Sequence, residues 1–143
     1  VNFIDTDKKI EDLTNKSITD IFKEDGEIYF RKLETETLKT NTKGNIVACG
    51  GGLPCCNNNM DFIKKSGISI YLKSSEDVIL SRLSNSKERP LVQNKSAKDL
   101  RVFISEKIRE RERFYLMENH TIDTSNLTDK DVLREINSLS LSI

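Results

Sequence analysis

Apolar residues cluster in four short runs along this chain, and between them apolar positions return every three or four residues. Short continuous apolar runs bounded by turn residues predict buried strands, and the longer period predicts amphipathic helices. Val1-Asn2-Phe3-Ile4 reads as a first strand, ending in Asp5-Thr6-Asp7. Lys8 to Leu13 reads as a short helix with Ile10 and Leu13 on one face. Ser17 is placed to cap a second helix over Ile18 to Phe22, and Asp25-Gly26 breaks it. Glu27 to about Lys39 is a longer helix with Phe30, Leu33, Thr37 and Leu38 turned to the core. Asn45 to Cys49 is a second strand, with Cys49 a small buried residue at its end, and it runs straight into Gly50-Gly51-Gly52.

Beyond the glycines, Asn57 to Lys65 reads as helical and stops at Gly67. Ile68 to Leu72 is a third strand, and Ser74 or Ser75 caps a helix through Leu83. From Ser84 to Lys98 the periodicity vanishes around Pro90, which suggests a functional lid or disorder. Ala97 to about Leu116 is a strong helix with Leu100, Ile104 and Ile108 in one stripe. His120 to Asp123 is a last strand, and Asp129 to Leu139 a closing helix. Strands alternating with helices place the chain in the α/β class with a mostly parallel sheet.

Composition changes this picture little. At 143 residues the length suits one domain, and 23 Lys+Arg against 23 Asp+Glu leave no basic excess for nucleic acid. No run approaches the roughly 18 apolar residues of a membrane span. The three cysteines, two of them adjacent, suggest reduced cytoplasmic thiols rather than a disulfide framework or zinc site, with His120 the only histidine.

Candidate chemistry gathers at strand ends, where open α/β sheets bind their ligands. Three glycines let backbone N–H groups approach a ligand without steric cost. If the first two strands are parallel neighbours, Asp5 and Asp7 share a rim with the glycine turn. On a strand end they would face different ways, one for Mg²⁺ through water and one for a hydroxyl proton; Asp7 as a plain cap for the helix at Lys8 is the alternative. Arg111 continues the apolar stripe toward Tyr115, where a guanidinium calls for a carboxylate or phosphate. Arg31 and Glu34 have the spacing of a helical ion pair, and Arg89-Pro90 lies in the lid segment.

The ordered set Phe3-Ile4-Asp5-Thr6-Asp7, Ile21-Phe22, Gly26-Glu27, Phe30-Arg31-Lys32-Leu33-Glu34, Cys49-Gly50-Gly51-Gly52, Tyr71-Leu72, Arg89-Pro90-Leu91 and Arg111 four before Tyr115 resembles the shikimate kinase family. The resemblance runs from Val1 to about Leu139. It implies a three-layer P-loop kinase-like fold, a parallel sheet with helices on both faces, as a single domain over 1–143. The substrate-binding region would fall at about 7–40 and the lid at about 84–98. The implied reaction is transfer of the γ-phosphoryl of ATP to the 3-hydroxyl of shikimate, in chorismate and aromatic amino acid biosynthesis, with Mg²⁺, by a cytoplasmic monomer.

By that resemblance Asp5 assists Mg²⁺, and Asp7 contacts the hydroxyls as candidate base. Arg31, Arg111, Gly51 and Gly52 hold shikimate, Glu34 positions Arg31, and Phe22, Phe30 and Pro90 line the pocket. Arg89 faces the phosphates, while Arg82, Asp123 and Thr124 lie near the nucleotide. The family's Gly-x-x-x-x-Gly-Lys-[Ser/Thr] loop, with its strand and helix of roughly 30 residues, is not among the 143 residues. Its strand would lie centrally, between the second and third strands named above. The resemblance therefore implies an N-terminally incomplete chain that cannot bind ATP productively as it stands, with a plastid address possible upstream. Three other readings remain: a non-catalytic remnant binding a small carboxylate, a gluconate-type kinase of the same fold, and a structural or protein-interaction domain, which the arginine on the apolar stripe weakens.

Overall fold

The computed structural model describes residues 2–84 and 96–140. Arg89 and Pro90, with most of the lid segment, lie outside the described residues. The backbone divides into two compact units, Val1–Ser69 and Ile70–Ile143.

In the first unit, β1 (Asn2–Asp5) pairs in parallel with β2 (Asn45–Ala48), Phe3 opposite Ile46 and Asp5 opposite Ala48. Three helices connect the two strands: α1 (Thr6–Thr14), α2 (Ile18–Glu24) and α3 (Gly26–Asn41). A parallel pair requires such a crossover, since no tight turn can reverse the chain twice. Ile10, Ile21 and Phe30, one from each helix, form a buried cluster with Ile18 and Leu33 against it. Burying each large side chain contributes about 1.5–3 kcal/mol. Leu38 is buried as its helical period requires, but Leu13, expected to share a face with Ile10, is 64% exposed. It lies in the last turn of α1, just before Asn15 at φ 52, where the chain leaves the core.

Helix starts follow side-chain oxygens. Ser17 Oγ accepts from Asp20 N at 3.1 Å, as its type predicts. Asp5, not Asp7, caps α1: its Oδ1 accepts from Asp7 N at 2.9 Å and Lys8 N at 3.1 Å. The helix begins two residues earlier than the apolar period suggested, so Asp7 sits in its first turn rather than on a strand end. After β2 the chain makes a short 3-10 turn, Leu53–Cys55, before α4 (Asn59–Ser66). Asn57 and Asn58, expected to be helical, instead take left-handed φ of 50 and 54, a conformation asparagine tolerates.

In the second unit β3 (Ile70–Lys73) pairs in parallel with β4 (His120–Asp123), Leu72 opposite Ile122. Between them run α5 (Glu76–Ser84) and α6 (Ala97–Tyr115), and α7 (Asp129–Ser140) follows β4. Leu100, Ile104 and Ile122 are buried. Lys73 Nζ meets Glu112 Oε1 at 2.8 Å, tying β3 to α6. The architecture is α/β with parallel strands, as the alternating pattern predicts. β2 and β3 belong to separate two-stranded sheets.

Candidate active site

The register of β1 and β2 brings the start of α1 and the glycine turn to one rim. Gly50 N donates to Thr6 Oγ1 at 3.3 Å. A methyl group placed on Gly50 would lie 3.0 Å from Asp7 Oδ1 and 3.3 Å from Glu34 Oε1. One placed on Gly52 would collide with Arg31 Nη1 and lie 2.7 Å from its Cζ and Nη2. Asp7, Arg31, Glu34 and the Gly50–Gly52 turn therefore converge: a side chain at Gly52 would displace the Arg31 guanidinium, and one at Gly50 would crowd the Asp7 and Glu34 carboxylates.

Arg31 is held on several sides. Its Nη1 donates to Glu34 Oε2 at 2.6 Å. Its Nε and Nη2 both donate to Glu27 Oε1, at 3.2 and 3.0 Å. The guanidinium also lies near Phe22 and Phe30, its Cζ 6.0 and 5.4 Å from the ring centroids, within the range of cation–π attraction. Desolvation pulls the Arg31 pKa down, but the bonds to Glu34 and Glu27 outweigh it and the net shift is upward. Glu34 is 1% exposed, so this is no ordinary surface ion pair. Phe30 is buried and Phe22, tilted against it with ring centroids 4.7 Å apart, is 38% exposed, so the pair presents aromatic surface beside the guanidinium.

Cys49 is not the buried strand residue that the sequence suggested. It lies one residue beyond β2 and is exposed, as the strand ends at Ala48 to enter the turn. Enough protein still surrounds its sulfur that desolvation, then the charges of Glu34 and Asp7, push the thiol pKa up to about 11. All three cysteines are free thiols.

Asp5 is exposed, and one of its oxygens is committed to the α1 cap. Among the described residues no three His, Cys, Asp or Glu side chains cluster to hold a metal. In the second unit Arg111 is partly buried on α6 with Ile108 and Tyr115, while Arg109 and Arg113 are exposed. Arg82 is exposed in the last turn of α5. Thr124 is buried, its Oγ1 donating to Lys73 O at 2.9 Å. Asp123 accepts from Ser125 N at 2.9 Å and Ser125 Oγ at 2.5 Å, which lowers its pKa.

The sequence reading missed Thr6, Glu27, Thr35, Asn57 and Asn59. Glu27 could have been found, because it stands four residues before Arg31. The asparagines could not, since their contacts depend on two left-handed residues after the glycine turn.

A model of the shikimate kinase family matches residues 1–140. The shikimate kinase of Caldanaerobacter subterraneus subsp. tengcongensis is 39% identical over 137 residues, 94% of this chain and 78% of that protein. That of Flavobacterium johnsoniae is 36% identical over 141 residues, 95% of this chain and 82% of that protein. The crystal structure of shikimate kinase from Bacteroides thetaiotaomicron superposes with a TM-score of 0.93 at 31% identity, covering 100% of this chain and 85% of that one. The Acinetobacter baumannii enzyme in complex with shikimate gives 0.88 at 32%, covering 99% and 79%. Parallel strand pairs with helical crossovers and this degree of likeness place the fold among the P-loop kinases. The chain belongs to the shikimate kinase family, whose members are ATP-dependent phosphotransferases.

Proposed function

We infer that the first unit carries the acceptor site for shikimate, and that the reaction is transfer of the γ-phosphoryl of ATP to its 3-hydroxyl. The observation that carries this is the Arg31 guanidinium, fixed by Glu34 and Glu27 and seated against Gly52, in the same turn whose Gly50 faces Asp7. A planar cation with several N–H donors suits a carboxylate, and Phe22 and Phe30 offer apolar surface to a carbon ring. Asp7 is the group placed to take the hydroxyl proton as the new O–P bond forms and the bond to ADP breaks. Such transfers depend mainly on positioning and electrostatic stabilisation.

The remaining roles rest on the family resemblance. Arg111 pairs the shikimate carboxylate, and the backbone at Gly51 and Gly52 contacts the substrate. Arg89 meets the phosphates and Pro90 the pocket wall, while Arg82, Asp123 and Thr124 serve the nucleotide. Asp5 fits Mg²⁺ as a single hard oxygen ligand, because one of its oxygens already caps α1 and Mg²⁺ keeps most of its shell as water and phosphate. When bound, the ion neutralises phosphate charge. No helix among the described residues is long and apolar enough to cross a membrane, and the free thiols support a reducing, cytoplasmic setting.

The phosphate-cradling motif of this resemblance does not occur among the 143 residues, so the direct test of the acceptor site is binding rather than turnover. Calorimetric titration of shikimate into wild type and Arg31→Ala should show binding that the substitution weakens by about a hundredfold, the scale of a lost charge-assisted pair. Equal binding by both proteins, or equal affinity for gluconate, would overturn the reading.

A further inference from the structure

The glycine turn and Arg31 have to stay in register for the site to exist, and a continuous relay of hydrogen bonds links them. Leu53 N donates to Gly50 O at 3.0 Å, which closes the turn. Leu53 O accepts from Asn59 Nδ2 at 2.9 Å. The same amide nitrogen reaches Thr35 Oγ1 at 3.1 Å. Thr35 stands one helical turn after Arg31 on α3, and its hydroxyl donates to Arg31 O at 2.9 Å. Asn57 Nδ2 adds a second donor to Thr35 Oγ1 at 3.0 Å and approaches Arg31 O at 3.4 Å.

A hydroxyl has one hydrogen to give and two lone pairs to fill. Thr35 uses all three: the hydrogen goes to its own helix, and the lone pairs face the two asparagines. Asn59 is 1% exposed and spends both amide hydrogens on this relay. Buried bonds of this kind are costly to leave unmade. Asn57 delivers its amide from a left-handed backbone, φ 50. None of these groups reaches the guanidinium itself.

We propose that Thr35, with Asn57 and Asn59, is a positioning clamp that fixes the Gly50–Gly52 turn against Arg31 and thereby sets affinity for the acceptor carboxylate. The inference rests on the reading of this site as the shikimate site, and it assigns residues that act through Arg31 rather than on the ligand.

The test is calorimetric titration of shikimate into the full chain, with thermal melting run alongside. Thr35→Val keeps the shape of the side chain and deletes the hydroxyl; Thr35→Ser keeps the hydroxyl. Thr35→Val should bind about tenfold more weakly, the scale of a lost partly buried hydrogen bond, and Thr35→Ser should restore wild-type affinity. Asn57→Gly suits the left-handed backbone, removes one donor at an exposed position and should cost about threefold. It decides the matter should Thr35→Val fail to fold. In an Arg31→Lys background the Thr35→Val penalty should largely disappear, because clamp and guanidinium act as one unit. Wild-type affinity in Thr35→Val, or in Asn57→Gly when that variant decides, overturns the clamp. So does an undiminished penalty in the Arg31→Lys background, or a loss that only follows the melting temperature. Shikimate binding lost in Arg31→Ala but untouched in the clamp variants would remove the clamp alone; no binding by wild type removes the site reading with it.

Discussion

Arg31 shows how much one side chain can depend on its neighbours. Glu34 and Glu27 hold its nitrogens, Phe22 and Phe30 lie beside it, and Gly52 gives it room. Gly52→Ala would push a methyl into a guanidinium that cannot swing aside without breaking its ion pairs. We expect a loss of stability, because the buried Glu34 would lose its cation, and shikimate affinity should fall about tenfold or more; titration beside thermal melting checks both. Cys49 yields a second expectation. A thiol whose pKa rises from 9.0 to about 11 on folding holds its proton more tightly in the folded state. Its contribution to stability is complete below pH 9 and is lost as pH rises toward 11. Denaturation of wild type and Cys49→Ala across that window should show wild type losing stability faster; parallel curves would refute it. Asp7, Arg31 and Glu34 stood out through the family pattern, since each by itself also had a plain structural reading as a cap or a helical ion pair; their meeting at the glycine turn is what the fold adds. The burial of Glu34 and exposure of Cys49 were not, since both depend on where α3 and the end of β2 meet.

Helices and strands were legible nearly throughout, because apolar period and capping residues are local signals. β4 starts and stops as expected, and Ser17 caps α2 as its type predicts. Errors fell where a polar side chain outranked the apolar period. Asp5 starts α1 two residues before the first apolar position would suggest, and Asn57 and Asn58 delay α4. Asp5→Ala should therefore cost about 1 kcal/mol through loss of the cap, whereas Asp5→Asn, which can still accept, should cost much less. Urea denaturation measures both, and equal losses would show that the carboxylate charge rather than the cap is what stabilises.

At the scale of the whole chain, the acceptor-site geometry lies within the first unit, while Arg111 belongs to the second. The family pattern placed an additional strand between β2 and β3, and those two strands sit in separate two-stranded sheets. Hydrogen exchange with and without shikimate should show protection in 26–53 and in the half of α6 that carries Arg111. Protection confined to the first region would remove Arg111 from the carboxylate. Pairing two by two has a practical side as well. Each ladder leaves its outer backbone groups without a strand partner among the described residues, and Ile46 and Leu72 stand half-open beside them. Such edges accept added strands, so wherever copies of this chain associate we expect the contact at a strand edge rather than on its charged helices.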